Sequence, residues 1–126
     1  MLSKKEIGRL NQAKGHRFEI RIWNRGKCKD LLDRAISSGS KGIVDVWLLY
    51  PKKLRIICCK TNGYLDPKER RKINWLLAKK PEWATIELAF YKSKRKIGKM
   101  IIDKNWEDRY TVVYSKLKSV HQKKRR

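Results

Sequence analysis

The sequence predicts an α/β protein: a single domain built on a mixed β-sheet flanked by helices, with basic extensions at both ends. Three observations carry that prediction. Two short apolar runs, at 43–50 and 54–60, are separated by a turn at Pro51, Lys52 and Lys53 and read as paired strands. A stretch of helical spacing at 66–80 lies between the second run and a further strand at 85–92, and a strand, helix, strand order implies a right-handed parallel crossover. Finally, 126 residues suffice for one core that buries roughly two thirds of the unfolded surface.

The elements follow in order. Ser3 with Glu6 forms a capping box, so a helix is expected from Lys4; "KGHRFEIRIWNRG" continues it, with Phe18, Ile22 and Arg25 on successive turns, until the Gly26 region closes it. "DLLDRAI" at 30–36 reads as a first strand leading into the Ser/Gly loop "SSGSKG" at 37–42, and the strand pair follows. "TNGY" breaks the sheet. Asp66, Pro67 and Glu69 supply N-cap, first-turn proline and capping partner to a helix carrying Ile73, Leu76 and Leu77, which ends near Lys80 and Pro81. "TIELAFYK" at 85–92 is a strand, and "SKRKIGK" is a basic turn into another at "MIID". "YTVVY", within 106–117, reads as a possible last strand before a basic tail at 115–126 that holds six Lys or Arg and no acid. Trp47, Trp75, Trp83 and Trp106 are expected in the core.

Charge is the loudest feature of the composition. Thirty-four Lys and Arg against 12 acids give a net charge of +22, which self-repels in a compact free domain and calls for a polyanionic partner. Nucleic acid fits better than a membrane surface, because no apolar stripe lies along a basic face and no run approaches the ~20 apolar residues of a spanning helix. "MLSKKEIGRL" lacks the apolar centre of a signal peptide, so a cytoplasmic location is expected. The three cysteines, two of them adjacent, fit neither a disulfide framework nor a zinc pattern and are read as reduced.

Asp45 is the only acid between Asp33 and Asp66, and it sits among Ile43, Val44, Val46, Trp47 and Leu48. A carboxylate in such a run is costly without a partner or a metal. Asp45 therefore either bonds to the serine loop, pairs with a nearby lysine or holds a cation. Glu19, between Phe18 and Ile20, and Lys60, one lysine among many, are unremarkable singly.

Together they form a pattern. "KGHRFE" at 14–19, "SSGSKGIVD" at 37–45 and "IICCK" at 56–60 resemble, in order and in spacing, the archaeal Holliday-junction resolvases of the PD-(D/E)xK nuclease superfamily. The resemblance implies a restriction-endonuclease-like fold, with a nuclease-fold domain at 12–114 between a basic N-terminal extension at 1–11 and the tail at 115–126. It also implies that Glu19, Ser40, Asp45 and Lys60 are the catalytic positions, Asp45 a magnesium ligand and Lys60 the aid to the attacking water. Cys58 stands where the family carries its second metal-binding glutamate. A thiol replaces it poorly: with an ordinary pKa of about 8.5 it stays protonated beside Asp45, and as a thiolate it is soft while magnesium is hard. No acid at 46–65 takes over, and Glu69 is expected to be occupied as a helix cap.

The expectation is therefore a catalytically inactive nucleic-acid-binding protein that needs no cofactor, bound to structured RNA in a ribonucleoprotein such as an archaeal ribosome. The alternative is a Mg2+-dependent structure-specific endonuclease, a resolvase acting on branched DNA. Candidate phosphate contacts are Lys14, Arg17, Arg21, Arg25, Lys41, Lys92, Lys94, Arg95, Lys96, Lys99, Lys123, Lys124, Arg125 and Arg126. A homodimer is implied by the resemblance alone.

Overall fold

A computed structural model describes residues 3–25, 30–37, 42–93 and 96–123, with the backbone alone at 7–14 and 121–123. Among these residues the chain forms three helices and five strands, an α/β arrangement around one open mixed sheet. Ser40, Lys41, Lys94, Arg95, Lys124, Arg125 and Arg126, and the Gly26 helix end, lie outside the described residues.

The first helix, α1 (Lys4–Arg25), begins where Ser3 Oγ accepts the Glu6 N–H at 3.1 Å. Strands β1 (Asp33–Ile36), β2 (Val46–Tyr50) and β3 (Lys53–Cys59) follow as an antiparallel meander. Tyr50 pairs with Lys53, so only Pro51 and Lys52 make the β2–β3 turn and Lys53 already belongs to the strand. Helix α2 (Pro67–Lys79) then returns the chain to β4 (Ala84–Ser93), which lies parallel to β3, as the strand, helix, strand order predicts. The Asp66 side chain accepts the Glu69 N–H at 2.7 Å while Glu69 accepts the Asp66 N–H at 3.2 Å, completing the capping box. Strand β5 (Lys96–Ile102) closes a sheet of order β1-β2-β3-β4-β5.

The expected strand at "YTVVY" is instead part of α3 (Trp106–Lys123). β-branched and aromatic residues favour a strand locally, but Trp106, Tyr110, Val113, Tyr114 and Leu117 recur at helical spacing and pack against one core. Burying that stripe outweighs local propensity. The helix runs on through most of the segment read as a tail, and α1 and α3 both pass unbroken across the predicted domain limits at 11/12 and 114/115.

Two cores line the two faces of the sheet. Phe18 and Ile22 of α1 pack on Val46, Leu48, Ile57 and Ala89. Ile73 of α2 and Trp106, Tyr110 and Leu117 of α3 pack on Ile56, Cys58, Leu88 and Ile102. Burial of one such side chain contributes about 1.5 to 3 kcal/mol. Of the tryptophans expected inside, Trp106 is buried, its Nε1 donating to Asn74 Oδ1 at 2.8 Å; Trp47, Trp75 and Trp83 are exposed and belong to neither core. None of the described helices is long and apolar enough to cross a membrane.

Candidate nucleic-acid interface and carboxylate site

The sheet topology brings the carboxyl end of β3 next to the residue that opens β2. Asp45 lies one residue before β2, its N–H donating to Ile57 O at 3.0 Å and its carbonyl accepting from Ser37 N at 2.9 Å. These bonds hold its side chain at the end of β3, where Oδ2 accepts the Cys59 N–H at 2.7 Å. Glu19 reaches the same place from α1, one turn before the buried Ile22, and shares a hydrogen bond with the Asp45 carboxyl. Burial, and then the Glu19 charge, push the Asp45 carboxyl up to about 7, against the opposing pull of the Cys59 N–H and of Lys60. Two facing carboxyls in a poorly solvated spot cannot both be charged cheaply. The Asp45 carboxyl therefore holds its proton into the neutral range.

Lys60 follows β3, its N–H donating to Ala89 O at 2.9 Å, and its ammonium forms an ion pair with Glu69 Oε2. Glu69 thus has two duties: Oε1 caps α2 and Oε2 holds Lys60. The sequence assigned only the first. The structure brings together Glu19, Asp45 and Lys60 as the resemblance implies, and adds Glu69. Ser40, the remaining member of the set, lies outside the described residues.

Cys58 is fully buried in the core under α2 and α3. Burial and the Asp45 charge push its thiol up to about 12, so it is neutral and apolar in behaviour at physiological pH. Burial likewise raises the Cys59 thiol. Among the described residues no three His, Cys, Asp or Glu side chains gather in a group able to hold a metal ion. Asp45 and Glu19 provide two hard oxygen donors, Cys58 offers a protonated soft atom and Glu69 is taken by Lys60. Magnesium is held by one or two carboxylates with waters completing its octahedron, so Asp45 and Glu19 are the residues that would hold it, and Cys58 would add nothing.

Basic residues flank this end of the sheet. Arg17, Arg21 and Arg25 recur every four residues along α1 and are exposed, forming one row above the buried Phe18 and Ile22. Lys92, Lys96 and Lys99 are exposed on β4 and β5. Arg21 Nη1 donates to Tyr91 Oη at 2.9 Å and the guanidinium lies 5.4 Å from that ring, tying the α1 row to the β4–β5 hairpin. Lys14 and Lys123 lie in the segments of α1 and α3 described by backbone alone.

One further ionic pair escaped the sequence reading. Glu87, in the centre of β4, is 1% exposed and takes Arg55 Nε at 2.7 Å on Oε2 and Nη2 at 2.8 Å on Oε1. The available signal was the same as for Asp45, an acid flanked by Ile86 and Leu88 in an apolar run.

The geometry defines an α/β protein with a half-buried acid pair beside a strongly basic surface. No family model matches the chain, and neither curated proteins nor solved structures give a match.

Proposed function

We propose that this chain is a nucleic-acid-binding protein on a restriction-endonuclease-like scaffold resembling the archaeal Holliday-junction resolvases, without their nuclease chemistry. The observation that carries the reading is the exposed Arg17, Arg21 and Arg25 row, linked through Tyr91 to the lysines of the β4–β5 hairpin in a chain of net charge +22. Such a row follows phosphates and neutralises them; it reads no bases. The setting proposed is structured RNA within a ribonucleoprotein such as an archaeal ribosome, where phosphates offset the charge of a small domain with basic ends.

The chemistry of the acid pair supports a binding role. A resolvase uses carboxylates to hold magnesium, and here the position of one of them is a neutral thiol in the core. Asp45 then keeps a structural task, accepting the Cys59 N–H and fixing the end of β3. A second reading, a magnesium-dependent endonuclease for branched DNA, is favoured by one observation: Glu19, Asp45 and Lys60 do converge. A homodimer follows from the resemblance in either reading.

Incubating the protein with a four-way DNA junction in magnesium or manganese, beside Asp45→Asn and Cys58→Glu, separates the two. The expected outcome is binding without cleavage by the wild type, with tighter binding to structured RNA than to the junction. Cleavage abolished by Asp45→Asn overturns the proposal in favour of the nuclease.

A further inference from the structure

A cleft of about 290 Å3 opens between the last turn of α1 and the middle of β3, β4 and β5, and Asp45 is not among its lining residues. Its apolar wall includes Ile22, Ile57 and Ile97. Its charged wall holds Arg25, Arg55 and Lys99 against a single carboxylate, Glu87. Three cations against one anion leave two positive charges in a concave site with a floor closed by a side chain only 1% exposed.

The arrangement is preorganised. Glu87 binds Arg55 through both oxygens, and Arg55 Nη1 also donates toward Tyr50 Oη at 3.4 Å, so the guanidinium is fixed before any ligand arrives. Lys99 Nζ lies 3.7 Å from Glu87 Oε1 with its side chain 60% exposed, which leaves ammonium protons for an incoming oxygen. Arg25 is exposed at the rim. Thr85, opposite Arg55 in the β3–β4 register, has a buried hydroxyl with no hydrogen-bond partner among the described residues.

We propose that this cleft binds a phosphate monoester, the phosphoryl group lying between Arg25 and Lys99 and the attached sugar resting on the apolar wall. A monoester carries a charge approaching −2 at neutral pH, which matches the surplus of the cleft, whereas each diester of a running backbone carries −1 and needs no closed floor. The source of the ester is the 5′ end of an RNA or a free mononucleotide. Only the first source rests on the nucleic-acid reading.

The test compares 5′-phosphorylated and 5′-hydroxyl versions of one single-stranded RNA by fluorescence anisotropy, with adenosine monophosphate and inorganic phosphate titrated separately. Wild type and R25A/K99A, both changes at exposed positions, are measured side by side. The expected result is an affinity about tenfold higher for the phosphorylated end, falling to less than about twofold in the variant. Binding of the mononucleotide that the variant loses supports the site with a free nucleotide as source, even where neither RNA binds and the nucleic-acid reading falls. RNA binding that ignores the 5′ group, with no mononucleotide bound, overturns the cleft proposal and leaves the nucleic-acid reading standing. A 5′ preference or mononucleotide affinity unchanged in R25A/K99A overturns it as well.

Discussion

Asp45 and Glu87 are both acids in apolar stretches of the sheet, and the chain accommodates them in opposite ways. Glu87 is matched by Arg55, which supplies two N–H donors in a planar fork, and the same bonds hold the guanidinium more firmly protonated than usual. Asp45 has one backbone N–H, a second carboxyl in Glu19 and a lysine already claimed by Glu69, so it takes a proton instead. The lesson is that burial alone does not mark a reactive acid. The number of donors that reach the carboxylate decides between a matched acid and a titrating one.

The strongest way to break this contrast is to remove the matched acid. Glu87→Gln leaves Arg55 without its anion in a site where the acid was 1% exposed, and should cost about 3 kcal/mol in urea unfolding. The double variant Arg55→Met with Glu87→Leu should recover most of that loss, since an apolar pair of similar volume replaces both charges. A double variant no more stable than Glu87→Gln would show that the pair contributes more than mutual neutralisation.

Asp45→Asn should have a smaller effect of opposite sign. The carboxyl loses its proton near pH 3.8 in the unfolded chain and near 7 in the native one, so between those values the native state holds more protons. Stability from this group is whole below about pH 3.8, declines as pH rises and is lost above about 7. Asparagine keeps an oxygen for the Cys59 N–H and never charges. The variant should therefore gain on the order of 2 kcal/mol over wild type at pH 8 and little at pH 4.5, read from thermal unfolding at both values. An equal effect at the two pH values would show that Asp45 does not titrate between them.

How much of this was legible in the sequence follows from how local each signal is. Asp66, Pro67 and Glu69 announce α2 within four residues, and the crossover to β4 follows from element order. The grouping of Glu19, Asp45 and Lys60 was legible only through the resemblance to the resolvases, since Glu19 and Lys60 are each unremarkable in the sequence alone. The Glu69 bond to Lys60 was not, since a capping residue already had an explanation. The α3 stripe emerges only over Trp106 to Leu117, longer than the five-residue window that made "YTVVY" resemble a strand. Exposure of Trp75 and Trp83 depends on which sides of α2 and the β4 approach are covered, and composition carries no information on that.

The thiols next to the acid pair sharpen the comparison further. With the Cys58 thiol pushed up to about 12, it is protonated at pH 8, and the side chain is also fully buried. Iodoacetamide followed by mass spectrometry should leave Cys58 unmodified in the native protein and label it readily in urea. Rapid native labelling would mean that this end of the sheet opens, and that the Asp45 proton is held less tightly than its burial implies.

The smallest effect concerns the surface that the two acids do not touch. Arg17 is exposed on α1 with no part in either core, so Arg17→Ala should change stability by less than about 0.5 kcal/mol. Under the proposed nucleic-acid role, a phosphate contact of Arg17 should appear in the salt dependence: on duplex nucleic acid the slope of log affinity against log salt should fall by about 0.9 for each phosphate lost. Lys104, exposed beyond β5 and distant from the α1 row in the chain, provides the control, and Lys104→Ala should leave the slope unchanged. Equal slopes in Arg17→Ala and wild type would place any bound phosphates elsewhere than at Arg17, whereas a selective fall would show that the row beside Asp45 is the surface that meets the nucleic acid.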